Sequence, residues 1–153
     1  MLTITRKEAC NVLMKGMFNE MSDEQLEQLD WALTNDVAVR DFMMTMPAWF
    51  EMKEVITYLE RLEAQTKIIN KVPINTVLSV FYYETDEPEK FSRSIGRALE
   101  ADPNYSLARL IGKMVLNGLP PQTLLVSRKE LKDRVVEVCY GDEGDFVIKE
   151  DNG

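Results

Sequence analysis

With 153 residues, 26 acids against 18 bases and no histidine, the chain is long enough to bury one core of its own and too acidic to suit a duplex-binding surface. The missing imidazole removes the commonest general base, the commonest metal ligand and every histidine-based nucleophile triad. Cys10 and Cys139 stand far apart without a CxxC partner, so neither a disulfide framework nor a thiolate zinc site is implied, and a reducing cytosol fits best. The start, MLTITRKEAC, has no apolar run behind its charges, and no stretch reaches the roughly eighteen apolar residues of a membrane span, so a cytoplasmic chain is expected.

Start and stop signals divide the chain into about seven to eight short helices. Thr5 with Glu8 reads as a capping box, followed by an apolar face of Ala9, Val12, Leu13, Gly16 and Met17. Ser22 with Gln25 opens a second helix, with Leu26, Leu29 and Leu33 inward, and Thr34-Asn35-Asp36 closes it. A third segment, Val37 to Met46, runs into Pro47, which lacks the N–H a helix needs. From Trp49 to Asn70, the positions Met52, Val55, Ile56, Leu59 and Leu62 follow the 3.6-residue period. Pro73 can sit in the first turn of the next helix, INTVLSVFYY, whose β-branched and aromatic residues make a buried strand the rival reading. With no partner strand in view, helix is preferred.

Asp86 with Glu89 is expected to cap a sixth helix carrying Phe91, Ile95, Ala98 and Leu99. Asp102-Pro103 stops it, because the residue before a proline is pushed out of the α region. Ser106 is expected to cap a seventh with Leu107, Leu110, Ile111, Met114 and Val115, ended by Gly118 and Pro120-Pro121. Ser127 with Glu130 reads as a further capping box, with Leu131, Val135 and Val138 inward. Beyond Cys139 no period is visible, and Asp142, Glu143, Asp145, Glu150 and Asp151 stand against Lys149 alone. Residues 140–153 are expected to be a flexible acidic tail on a single helical domain of residues 1–139, with Phe146-Val147-Ile148 as the one group able to pin it.

SIGRALEADPNY resembles the second half of a tetratricopeptide repeat, so a helical hairpin is expected near residues 87–117, but no 34-residue self-similarity supports an array. A longer likeness spans Ala32 to Pro121: ALTNDVAVRDFMM, then FYYETDEPEKFSRSIGRALEADPNYSLARLIGKMVLNGLPP, resembles the C-terminal region of the domain of unknown function 4192 family of actinobacteria and their phages. It carries that family's aromatic helix, acidic turn, Ala-Leu helix, DP turn and Gly-hydrophobic-Pro-Pro stop, in order. It departs at Thr85-Asp86, where the family usually has Gly-Asp. The resemblance implies a helical fold and an actinobacterial or phage origin, and no activity.

No P-loop, dinucleotide-binding glycine fingerprint or calcium loop is present, and GDEGD lacks the ligand spacing of the last. The acids at helix starts, Asp23, Glu24 and Glu27 and again Asp86, Glu87 and Glu89, are explained by the helix dipole. Neither enzymatic activity nor a cofactor or metal is expected. Methionine is the anomaly, since eight of nine lie in the first 52 residues. Met43 and Met44 cannot both face one core on a regular helix, and Met46, Trp49 and Phe50 sit at a proline break. Met43, Met46, Trp49 and Phe50 are therefore expected to form an apolar patch for a protein partner, either a host factor or a second copy. The alternative uses the base-free run from Gly16 to Val39. There Glu20, Asp23, Glu24, Glu27 and Asp30 would imitate a phosphate backbone and occupy a nucleic-acid-binding host protein. Direct nucleic-acid or membrane binding is not expected.

Overall fold

The computed structural model describes residues 3–65 and 68–151, with the side chains at 124–127 outside the described set. Eight α-helices occur among the described residues: α1 Arg6–Lys15, α2 Asp23–Asn35, α3 Val37–Thr45, α4 Met52–Ala64, α5 Lys71–Glu84, α6 Pro88–Ala101, α7 Ser106–Leu116 and α8 Pro121–Tyr140. Short 3-10 helices, Met46–Ala48 and Asp142–Asp145, follow α3 and α8, and no strand occurs among the described residues. The expected all-α bundle is the fold. No helix among the described residues is long and apolar enough to cross a membrane.

Two helices make the centre. α5 is buried at every position from Pro73 to Tyr82, so it has no polar face and displays no helical period. Asn70 starts it, accepting from the Val72 N–H at 3.1 Å, and the helical reading of INTVLSVFYY holds over the strand. α6 packs along α5 through Phe91, Ser94, Ile95 and Ala98. α3 touches α1, α2, α5 and α8, and this enclosure buries Val39, Phe42, Met43 and Thr45. The pair α6 and α7 follows the DP turn as expected, but α7 lies at the edge, touching α5 and α6. Of its expected stripe, Ile111 is buried, Leu107, Met114 and Val115 are half-buried and Leu110 is exposed, a correction that follows from α7 having few neighbours. The cap position is Tyr105 rather than Ser106, which is the first residue of the helix.

Local chemistry explains most boundaries. The Ser22–Gln25 box is complete, and Glu8 N donates to Thr5 Oγ1 at 3.1 Å while the Thr5 hydroxyl donates back to the Glu8 carboxylate. Gly16 closes α1 because a Cβ there would come within 2.3 Å of Tyr58 Oη, which is itself fixed by donating to the Leu13 carbonyl at 2.6 Å. Gly118, at φ +73°, ends α7 in the left-handed region.

Four boundaries differ from the sequence reading. α4 begins at Met52, after the 3-10 turn that Pro47 imposes, and ends at Ala64, well short of Asn70. Buried Ile69 and the cap at Asn70 belong to the entry of α5. Asp86 does not cap α6: it closes α5 at φ +57°, and Glu87 with Pro88 opens α6. α8 begins at Pro121, so Ser127 is inside a helix; its expected side-chain cap lies outside the described side chains.

The largest correction concerns the expected tail 140–153, of which residues 140–151 are described and 152–153 lie outside the described residues. Tyr140 ends α8, and the chain then folds back rather than trailing into solvent. Arg6 N donates to Phe146 O and Ile148 N to Ile4 O, both at 2.9 Å, flanking an antiparallel bridge between Thr5 and Val147. Ile148 is buried, Trp31 Nε1 donates to its carbonyl at 3.2 Å, and Asp151 N donates to Asn35 Oδ1 at 3.0 Å. One apolar anchor and paired backbone groups hold this strap against α1 and α2.

Candidate functional site

The site is built where α3 ends. Asp36 closes α2 and caps α3, accepting from Ala38 N at 3.0 Å, and its carboxylate takes Arg6 Nε at 2.7 Å. Thr45 bonds back to the Phe42 carbonyl at 2.8 Å, and the 3-10 turn over Pro47 reverses the chain. Trp49 is thereby laid over Phe42, with ring centroids 5.5 Å apart and planes at 27°. From the end of α8, Tyr140 meets Phe42 edge-on at 5.9 Å. Its hydroxyl donates to Asn11 Oδ1 at 3.0 Å and lies 3.5 Å from Met14 Sδ. Burial pushes the Tyr140 hydroxyl well above the usual tyrosine range, so it remains a donor.

These side chains and Val136 line an open apolar groove of about 400 Å³. Trp49 is 39% exposed and Val136 38%, although both rest on a packed core. Lys132, Val136 and Tyr140 succeed one another at i, i+4 and i+8 on α8. A second groove of about 350 Å³, with Pro47, Ala48, Lys129, Lys132 and Asp133 on its walls, lies one turn earlier along α8. The first groove is aromatic, and the second sets Lys129 and Lys132 beside Asp133.

Of the four residues expected to form the apolar patch, Met43 and Met46 are completely buried and cannot touch a partner. Their enclosure between α3's neighbours corrects that expectation. Trp49 is at the surface, and half-buried Phe50 packs edge-on to exposed Phe18 at 5.7 Å. Val136 and Tyr140 were missed because a helix after residue 121 gives no sign of which earlier turn it crosses.

The acids are spread differently from a phosphate track. Glu20, Asp23, Glu24 and Glu27 are exposed, while Asp30 is half-buried, its carboxyl pushed up by burial against the pull of a backbone hydrogen bond at Asn70. Glu20 and Asp23 share a groove with Arg61, which donates to Gly16 O at 3.0 Å and sets a cation among them. Among the described residues, no group of three His, Cys, Asp or Glu side chains could hold a metal ion.

The comparison with known families decides where the chain belongs. The model of the domain of unknown function 4192 (DUF4192) matches residues 6–122. The chain is a member of the DUF4192 family. No curated protein and no solved structure matches it. The DUF4192 match begins at Arg6, well before the likeness read from Ala32, and stops in the first turn of α8. Asn11, Met14, Phe42 and Trp49 thus lie inside the matched DUF4192 segment, while Val136, Tyr140 and the strap lie beyond it.

The fold of this chain also places one thiol of α1 and one of α8 in the core. Cys10 on α1 and Cys139 on α8 are both buried free thiols; Cys139 donates to the Ala38 carbonyl at 3.8 Å, and the neighbouring Cys139 thiol together with burial raises the Cys10 thiol far above its usual value. A thiol so held is a poor nucleophile. An aromatic disulfide reagent should label neither cysteine in the folded protein and both in urea; rapid labelling of the native chain would contradict this packing.

Proposed function

We propose that this DUF4192 chain is a non-enzymatic protein-binding module that seats an apolar, acid-flanked segment of a partner protein in the Trp49 groove. The observation that carries the reading is a part-exposed indole stacked on a buried ring. Trp49 rests on Phe42 at 5.5 Å, beside Val136 and Tyr140. Interfaces draw most of their energy from such preorganised aromatic anchors. Lys129 and Lys132 in the neighbouring groove favour acidic residues flanking the apolar one. The actinobacterial or phage origin implied by the resemblance makes a host protein the first partner class to test, with a second copy as the other occupant.

Trp49→Ser should weaken binding of the captured partner by about thirtyfold or more, with helicity unchanged by circular dichroism. Phe18→Ser, at an exposed ring outside the groove, should leave it within a factor of about two. Partner capture that survives Trp49→Ser defeats the reading. If capture instead falls steeply with salt and is lost in Glu24→Gln/Glu27→Gln, the acidic face acts as a nucleic-acid mimic. Sedimentation of the purified chain tests the second copy, since Trp49→Ser would then convert a dimer to monomers.

A further inference from the structure

Between α4, α5 and α6 lies a second, chemically different cavity of about 160 Å³. Asn75, on central helix α5, is on its wall; the side chain is 3% exposed and its Oδ1 has no hydrogen-bond partner. A buried carbonyl oxygen without a donor costs free energy unless something supplies one. Ser94 from α6, also buried, lies on the same wall. One water needs only about 10–15 Å³ of such space, so the cavity exceeds a single solvent site by about tenfold.

Its charges are sorted by helix. α6 contributes Lys90, Arg93 and Arg97, spaced at i, i+3 and i+7, and α4 contributes Glu60 and Glu63. Lys90 pairs with Glu87 at 3.3 Å, and Arg97 with Glu63 at a loose 3.6 Å. Arg93 has no ion pair among the described residues. Glu60 accepts from the Tyr82 hydroxyl at 2.6 Å, which orients it while leaving acceptor capacity. A polyanion entering here would meet two carboxylates, and a polyamine three cations. A ligand with one charge of each sign, and an N–H for the Asn75 oxygen, satisfies every wall.

The geometry points to a binding site for a small zwitterion, a free α-amino acid, in the α4–α5–α6 cavity. Its carboxylate pairs with Arg93, and its ammonium donates to Asn75 Oδ1 and faces Glu60 and Glu63. Buried Leu78 also lines the cavity, and the volume of about 160 Å³ suits a short side chain. This site shares no residue with the Trp49 groove and stands whether or not the groove binds a protein.

Calorimetric titration and amide-shift mapping of the full chain with glycine, alanine, serine and glutamate test it, with lactate, ethylamine and inorganic phosphate as controls. Saturable binding of at least one amino acid at about 1 mM or tighter is expected, shifting Asn75, Ser94 and Arg93. Lactate and ethylamine, each carrying one of the charges, should bind at least about tenfold more weakly. Arg93→Gln should lose about tenfold or more, and the near-isosteric Asn75→Leu should abolish binding with an unchanged or raised melting temperature. Three results overturn the assignment: no saturable shift with any amino acid, so that the cavity holds water only; phosphate or lactate binding as tightly as the amino acids; or full affinity in Arg93→Gln.

Discussion

Arg128→Met is expected to remove about 3–5 kcal/mol of stability, while the double variant Arg128→Met/Glu84→Met returns to within about 1 kcal/mol of the parent. Arg128 is a long cation inside the bundle, 6% exposed. Its Nε donates to the Met44 carbonyl at 3.1 Å, its Nη2 pairs with Glu84, and the guanidinium lies 5.3 Å from the Phe81 ring centroid. It thus ties the middle of α8 to the ends of α3 and α5. Removing it alone leaves Glu84 as a buried charge with nothing opposite; removing both leaves an apolar contact and one carbonyl short of a donor.

The pH dependence distinguishes this from simple loss of packing. Burial holds the Glu84 carboxyl above the usual glutamate range, and the Arg128 hydrogen bond and charge pull it down. Without Arg128, the folded value climbs further. A carboxyl raised in the folded state contributes stability that is fully present below its unfolded pKa and is lost as pH rises through the folded value. The deficit of Arg128→Met should therefore be greatest at neutral pH and shrink toward about pH 4, as Glu84 takes up its proton. Urea midpoints at several pH values measure it, and a deficit independent of pH would falsify the charge argument.

What the sequence disclosed follows from the range of its signals. Caps and breakers act within one turn, so Thr5, Ser22, Pro47, Pro103 and Gly118 placed helix ends well. Helices with one wet face, such as α2 and α6, also announced their buried residues. α5 is buried all round, so its period vanished and only the absence of a partner strand favoured helix. Met43 and Met44 looked unable to share a core because one helix was imagined against one surface, whereas α3 is wrapped by several neighbours. Met43 and Met46, grouped with Trp49 in the sequence, are buried, whereas Trp49 is at the surface. Its real neighbours, Val136 and Tyr140, come from a helix about ninety residues later, and no local rule reaches that far. The same holds for Cys10 with Cys139 and for Arg128 with Glu84.

Ile148→Ala is expected to cost about 2–5 kcal/mol, as for a core residue, although it lies within an acidic stretch. Residues 141–151 carry five acids against one base, a composition that by itself favours solvation. Against that stand a buried isoleucine side chain, two strand-like hydrogen bonds to Ile4 and Arg6, and the indole of Trp31 on the Ile148 carbonyl. Arg6 adds its guanidinium over the Phe146 ring at 4.7 Å while holding Asp36 with the same group. The strap thus bears on the residue that caps α3, and through α3 on the turn that presents Trp49. Val147→Ala, at a side chain turned to solvent, should cost less than about 0.5 kcal/mol. Truncation after Gly141 should speed hydrogen exchange at Arg6 and weaken partner binding without touching the groove. A loose tail would instead give equal, negligible costs at 147 and 148 and a rapidly exchanging Arg6 amide in the intact chain. Denaturant titration of the two alanine variants separates these outcomes.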